Sequence, residues 1–217
     1  MVSLCKGRYC ARLAQTPQDV GAAQRLRHHS FLGGTDAQRD VDGFDEICAH
    51  ILVEEHETGK LVCCFRLLTL NGGDEIERSY SAQFYELSAL RSFDGLMVEM
   101  GRFCIHPDHS DPDILRIAWG AMTAYVDRNN VEMLFGCSSF AGTETGRYLD
   151  AFAMLKHRHL APKRWLPRVK APDVFRFAAR LRRRPDAKKA MSRMPPLLRT
   201  YLMMGGWVSD HAVVDRH

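Results

Sequence analysis

The chain has 217 residues, 46% of them hydrophobic, which is enough for one well-buried core and short for two, so a single domain spanning 1–217 with an appendage is expected. Its 30 Lys and Arg against 26 Asp and Glu give a net charge of +4, spread unevenly: residues 156–194 hold fourteen Lys or Arg and only Asp173 and Asp186, which points to an anionic partner. The seven cysteines, at 5, 10, 48, 63, 64, 104 and 137, form no CxxC pair, so neither a disulfide framework nor a zinc cluster is expected and a reducing cytoplasm fits. The first twenty residues lack the apolar core of a signal peptide, and no run approaches the ~18 apolar residues that span a bilayer, so any membrane contact is expected to be peripheral.

In chain order, residues 8–15 (RYCARLAQ) read as a short first strand, and Thr16-Pro17 starts a helix to about Phe31, stopped by Gly33-Gly34. An aspartate-rich loop leads to strands at 49–55 and 60–70, joined by the turn HETG as a hairpin. Residues 80–90 read as a short helix carrying Phe84 and Leu87, and 96–105 as a long strand stopped by His106-Pro107. Asp111 and Pro112 cap a helix whose Ile114, Ile117, Ala118 and Ala121 fall on one stripe. VEMLFGCSSF is the next strand, and 143–156 another helix. The segment APDVFRFAARLRRRPD reads as a basic amphipathic helix ended by Pro185, inside a basic helical insertion at about 157–194. PPLLRTYLMMGGWVSD gives one more helix and the start of a strand. The order is that of an α/β fold with a largely antiparallel front half.

Charge in three successive apolar segments is the main functional signal. Asp40, Asp42 and Asp45 lie in RDVDGFDEICAHILVEE, Arg66 in LVCCFRLL, and Glu99 and Arg102 in MVEMGRFCIHP. Burying an unpaired charge costs several kcal/mol, so these residues imply a partly enclosed pocket for a molecule charged at both ends. Glu99 and Arg102 differ by three, and on one strand they share a face only across a bulge, for which Gly101 is the candidate. An acidic surface loop and a structural ion pair are the plainer alternatives. A calcium loop is excluded by the missing glycine and terminal Glu.

Arg27 in RLRHHSF (with Arg25 beside it), the acids of DVDGFD, Arg66 before Leu-Leu, and Glu99-Met-Gly-Arg102 resemble, over about the first 140 positions, the GNAT-type acyltransferases that use acyl carrier protein. These are the acyl-homoserine-lactone synthases and, more closely, the ornithine N-acyltransferases of ornithine-lipid synthesis, which the tail PPLLRTYLMMGGWV also resembles. One departure stands out: the family's first acid is usually Glu, and Asp40 is shorter by a methylene. The resemblance implies a GNAT fold, a mixed, mostly antiparallel central sheet flanked by helices, with a further pairing strand expected past His217. It implies transfer of a 3-hydroxyacyl chain to the α-amino group of L-ornithine, with Glu99 and Arg102 catalytic and Arg27, Asp40, Asp42, Asp45 and Arg66 around the amino acid.

No bound cofactor is expected; the phosphopantetheine arm of acyl carrier protein brings the acyl group and would lie near Ser138, Ser139 and Phe140. Many GNAT enzymes cradle the pyrophosphate of coenzyme A with glycines where this chain has HPDHSDPD, acidic and without glycine, which favours the carrier protein as donor. Arg180, Arg182, Arg183, Arg184, Lys188 and Lys189 are candidates for docking acidic carrier protein or an anionic inner-membrane face. Nucleic acid is not expected, since no recognition motif or aromatic interleaving accompanies the charge. Cys104 and Cys137 as nucleophiles, and His106 with His109 as metal ligands, are weaker readings, and no metal is assigned. The alternatives are an acyl-homoserine-lactone synthase using S-adenosylmethionine, or a non-catalytic GNAT-like module that binds carrier protein or membrane.

Overall fold

The computed structural model describes residues 3–34 and 37–215. A hairpin of β1 (Ser3–Lys6) and β2 (Tyr9–Leu13) comes first, so the strand expected at 8–15 is the second of the chain. A Cys5–Cys10 disulfide ties the two strands, where the sequence indicated no disulfide framework: residues 5 and 10 face each other across the hairpin, a juxtaposition that spacing alone does not reveal. Helix α1 (Pro17–Leu32) starts where expected, with Thr16 and Asp19 forming a reciprocal capping box that satisfies two otherwise orphaned backbone donors. There follow β3 (Ala49–Glu55), β4 (Leu61–Leu70), β5 (Tyr85–Glu86), β6 (Met97–Ile105), α2 (Pro112–Asn129) and β7 (Met133–Phe135). The chain continues through α3 (Leu149–Arg158), β8 (Arg168–Val169), β9 (Val174–Phe175), α4 (Phe177–Arg180), α5 (Ala187–Arg193), α6 (Pro196–Met203) and β10 (Ala212–Val213). The strand expected past His217 lies outside the described residues.

Two compact units divide these elements: residues 1–71 with 94–136, and 72–93 with 137–217. In the first, the strands run β1-β2-β3-β4-β6-β7, antiparallel except for the parallel pair β6–β7. Alternation along the strands sends Ile51, Val53, Phe65 and Leu67 to one face and Leu52, Cys64 and Cys104 to the other. Ala23 and Leu26 of α1 pack on the second set. The buried stripe of α2, Ile114, Ile117, Ala118 and Ala121, belongs to the opposite layer, where Tyr125 bonds Thr69 at 3.0 Å. Each buried aliphatic side chain here contributes about 1.5–3 kcal/mol, so the two helices hold the sheet from both sides.

The second unit is built around Phe152 of α3, whose ring stacks on Phe177 at 5.2 Å and meets Phe140 and Phe175 at 4.8 and 5.3 Å. Three expected helices change form here. Residues 80–90 are two 3-10 turns around β5, which pairs with β8. The helix expected from 143 begins only at Leu149, after a 3-10 turn. The basic segment is not one helix: Val174 and Phe175 form β9 against β10, α4 lasts four residues, and Arg182–Arg184 lie in irregular chain before α5. Phe175 and Phe177 are both buried with Arg176 exposed between them, a period of two rather than 3.6, and the partner strand lies more than thirty residues downstream. The strand expected at 131–140 is likewise only Met133–Phe135.

Candidate active site

In the first unit, the α1 face of the sheet carries a buried ionic network. Arg27 is 1% exposed; its Nη1 and Nη2 donate to Asp45 Oδ1 and Oδ2 at 2.6 and 2.9 Å, its Nη2 also donates to the Asp40 carbonyl, and its Nε lies 2.9 Å from Asp40 Oδ2. Arg66 is 3% exposed and grips Asp42 with both terminal nitrogens at 2.6 and 2.8 Å, with Nη1 also reaching Asp45 Oδ1 at 3.0 Å. Arg102 completes the set, with Nη2 3.4 Å from Asp42 Oδ2 and Nε 3.3 Å from Asp40 Oδ2. Bidentate guanidinium–carboxylate pairs combine strong hydrogen bonds with a fixed plane, so they set the path of the aspartate loop. The loop adds its own lock: Asp42 caps the 3-10 turn Gly43–Glu46, and Asp45 bonds back to the Asp42 amide at 3.3 Å.

The bulge expected near Gly101 is present one residue later. Cys64 faces Cys104 and Arg66 faces Gly101, so Phe65 alone opposes both Arg102 and Phe103. Arg102 takes the strain, at φ 52. In an unbulged strand it would point away from Glu99; the extra residue brings its guanidinium to the acids on the α1 face. Glu99 pairs with Leu68, two residues along β4 from Arg66, so it shares the Arg66 face, and it is 4% exposed. Beyond Glu99 the strands part: β7 pairs with β6 only from Met97 to Glu99. Gly136, where they part, allows a close approach, since a Cβ there would lie 2.3 Å from the Met100 carbonyl oxygen.

The electrostatics follow from burial set against pairing. Burial alone would raise the Asp45 carboxyl, but hydrogen bonds from Arg27 and Gln24 outweigh it and hold the group below the usual carboxylate range. Arg66 does the same for Asp42. Burial lowers His50, whose Nε2 donates to the Asp45 carbonyl at 3.0 Å. Burial also pushes the Cys48 thiol up to about 11 beside Arg66, Glu99, Asp42 and Asp45. Arg27, Arg66 and Arg102 thus answer Asp40, Asp42 and Asp45 in this poorly solvated cluster, with Glu99 on the same face of the sheet.

Gln24, Cys48 and His50 belong to this site and were not singled out from the sequence. Gln24 precedes Arg27 by three on the buried side of α1 and donates to Asp45 at 3.0 Å, while His50 sits directly across from Arg66 in the sheet. The i, i+3 spacing and the hairpin register are the signals that would have found them. Of the cysteine candidates, Cys104 is buried 3.5 Å from Cys64, and Cys137 is exposed and bonds Ser81 at 3.3 Å. His106 and His109 pack ring to ring, and among the described residues no three His, Cys, Asp or Glu converge on a metal-sized space.

Ser138, Ser139 and Phe140 lie in the second unit, where they line a cavity of about 190 Å³ with Tyr80, Phe84 and Tyr148 among its other walls. Arg180, Arg182, Arg183, Arg184, Lys188 and Lys189 are all exposed; Arg183 donates to Asp150 at 2.8 Å, and Lys189 lies 3.8 Å from Asp186.

A helix-flanked, bulged sheet whose last two strands part beside a buried acid is the framework of a GNAT-type acyltransferase, and a family model described as an acetyltransferase (GNAT) domain matches residues 26–120. The chain is 34% identical to the L-ornithine N(alpha)-acyltransferase of Rhodobacter capsulatus over 96% of this chain and 85% of that protein. It is 29% identical to the enzyme of the same name from Rhizobium meliloti (94% and 75% covered) and 31% identical to that of Brucella abortus (94% and 78%). The chain belongs to the L-ornithine N(alpha)-acyltransferase family. Similar solved structures include the AHL synthase LasI (TM-score 0.45, 17% identity, covering 60% of this chain and 72% of that one) and FeeM, an N-acyl amino acid synthase from uncultured soil microbes (TM-score 0.44, 15% identity, 59% and 70%).

Proposed function

We propose that this protein transfers a 3-hydroxyacyl chain from acyl carrier protein to the α-amino group of L-ornithine, producing lyso-ornithine lipid. The observation that carries the acceptor is the 34% identity, across nearly the whole chain, to a relative named for Nα-acylation of L-ornithine. The acids of the aspartate loop and Glu99 support it, since a diamino acid brings two ammonium groups, and Arg102, the partly exposed arginine of the set, suits its carboxylate. An amine attacks a thioester only as the free base. Glu99 takes the proton from the α-ammonium, the nitrogen adds to the thioester carbonyl, and backbone N–H groups of β6 past the bulge receive the oxyanion. That addition makes the C–N bond; collapse re-forms the carbonyl and breaks the C–S bond, and the surplus proton on the nitrogen passes to the departing sulfur, so phosphopantetheine leaves as a thiol with no covalent acyl-enzyme. Arg102 orients the acids beside the reacting amine.

Carrier protein is favoured over free coenzyme A by the start of α2. There the Asp111 carboxylate already accepts from the Asp113 amide at 2.9 Å and from Tyr9 at 3.1 Å, so the helix end that could hold a pyrophosphate is met by an anion of the chain itself. The aromatic-walled cavity of the second unit suits the pantetheine arm and the acyl chain, and the exposed cations at 180–189 suit an acidic carrier. Incubation with 3-hydroxyacyl carrier protein, ornithine, other basic amino acids and S-adenosylmethionine, read by mass spectrometry, tests the reaction. N-acyl-ornithine is the expected product. An acyl lactone, or acylation from coenzyme A in preference to carrier protein, would overturn the acceptor or the donor respectively.

A further inference from the structure

Four large apolar side chains are exposed at one corner of the second unit: Met203 at 76%, Met204 at 58%, Trp207 at 42% and Leu160 at 37%. They are held together by backbone bonds rather than left on a frayed end. The last turn of α6 is closed by bonds from the Met204 amide to the Thr200 carbonyl at 3.2 Å and from the Gly206 amide to the Tyr201 carbonyl at 2.9 Å. Val208 then pairs in parallel with Leu160, with its amide donating to the His159 carbonyl at 2.7 Å and its carbonyl accepting from Ala161 at 2.9 Å, which brings the backbone of the Trp207–Val208 segment alongside Leu160. Gly206 makes the turn possible, because a Cβ there would lie 2.7 Å from the Tyr201 carbonyl oxygen. The chain around this tip is mainly cationic: Arg158, Lys163 and Arg164 flank Leu160 and are exposed, while Lys156, Arg168 and Lys170 turn to the Leu181 carbonyl, Glu86 and the Ala82 carbonyl, and Asp210 follows Val208 by two.

We propose that this tip docks on an anionic lipid surface, with Trp207, Met203, Met204 and Leu160 entering the headgroup boundary and Arg158, Lys163 and Arg164 resting on lipid phosphates. Trp is suited to the boundary because its ring is apolar and its N–H polar, and a bilayer, unlike a small acidic protein, takes up unbranched thioether chains without a shaped pocket. A second copy would set one cationic corner against another, so like-charge repulsion disfavours self-association there. The proposal stands on the tip itself and is independent of which amino acid is acylated. Docked this way, the enzyme would release an amphiphilic product at the surface that accepts it.

Co-sedimentation of the full chain with vesicles of phosphatidylcholine alone, and of phosphatidylcholine mixed equally with phosphatidylglycerol, tests it. Binding is expected to the mixed vesicles, weakening as salt rises, and not to the neutral ones. Met203→Ser with Met204→Ser and Trp207→Ser should reduce that binding by about tenfold or more, and Lys163→Gln with Arg164→Gln by roughly fivefold for each cation removed. All five side chains are exposed, so the thermal transition and turnover with soluble carrier substrate should stay at the wild-type level; Glu99→Gln should bind vesicles as wild type does, which separates this proposal from the reaction. Failure of wild type to bind mixed vesicles would overturn it. So would undiminished binding by the triple variant, a dimer that the triple variant converts to monomer, or a loss confined to carrier-protein affinity.

Discussion

Arg27→Met removes a guanidinium that is 1% exposed and leaves its carboxylate partners inside the protein. The substitution deletes the two bonds to Asp45 and the contacts to Asp40, while Asp45 keeps Arg66 and Gln24, each at 3.0 Å. Breaking a buried pair by removing one partner costs about 3–5 kcal/mol, and the two surviving partners place this case near the lower end, about 3 kcal/mol. For a chain of this length each kcal/mol moves the midpoint by about 2–4 °C, so scanning calorimetry should show the first unit melting about 6–12 °C lower. The acid side supplies a second readout. Asp45 has a folded-state pKa below its unfolded value of about 3.9, so its stabilisation is present above that value and lost as pH falls through the folded one. In Arg27→Met that depression shrinks, and the midpoint should depend less steeply on pH below about 4. Asp45→Asn in the Arg27→Met background should cost at least ~1 kcal/mol less than in wild type, the sign of a direct coupling. A midpoint drop under about 3 °C with additive double-variant behaviour would refute a network in which Arg27 compensates Asp45.

Glu99→Gln should lower acyl transfer by about 10²–10⁴-fold with little change in the melting midpoint; a large loss of stability instead would make Glu99 part of a structural ion pair. Arg102→Gly should be more stable than Arg102→Ala by about 1 kcal/mol, because only glycine relaxes the backbone at φ 52, while both lose activity; an Ala variant as stable as the Gly one would contradict the strained bulge. Gly136→Ala should cost about 1–3 kcal/mol, since the new methyl meets the Met100 carbonyl rather than a movable side chain, and denaturant titration reads it directly. Arg182→Glu with Arg183→Glu should raise KM for acyl carrier protein in a salt-dependent way and leave vesicle binding by the Trp207 tip close to wild type.

What was legible in the sequence tracks what is local. Thr16 and Pro17 announce α1, Asp111 and Pro112 announce α2, and the apolar runs of β3, β4 and β6 are long enough to be read without their partners. The ionic residues were visible because a charge in an apolar run is costly unless another chain segment answers it, and Arg27, Arg66 and Arg102 do answer Asp40, Asp42 and Asp45. Their partnering was not legible, because it depends on register: Arg66 meets Gly101 rather than Arg102, and that one-residue offset decides which face Arg102 joins. Gln24 was hidden for a related reason, since a helix that buries Gln24 and Arg27 beside Ala23 and Leu26 carries no clean apolar stripe.

The second unit resisted reading because its elements are short and its pairings distant. β9 finds β10 across more than thirty residues, and Leu160 finds Val208 across nearly fifty, so the arginines between them looked like one face of a helix. The structure separates two properties that the sequence merges into a single basic block. The cations at 180–189 lie over an aromatic core, with Arg183 held by Asp150, and present charge alone. The cations at 158–164 flank the exposed Leu160, whose backbone pairs with Val208 next to the exposed Trp207, so there charge adjoins apolar side chains along the chain. A small acidic protein needs only the first kind of surface and a lipid headgroup layer exploits the second, so the proposed reaction, with a carrier-bound donor and an amphiphilic product, would use both, on different segments.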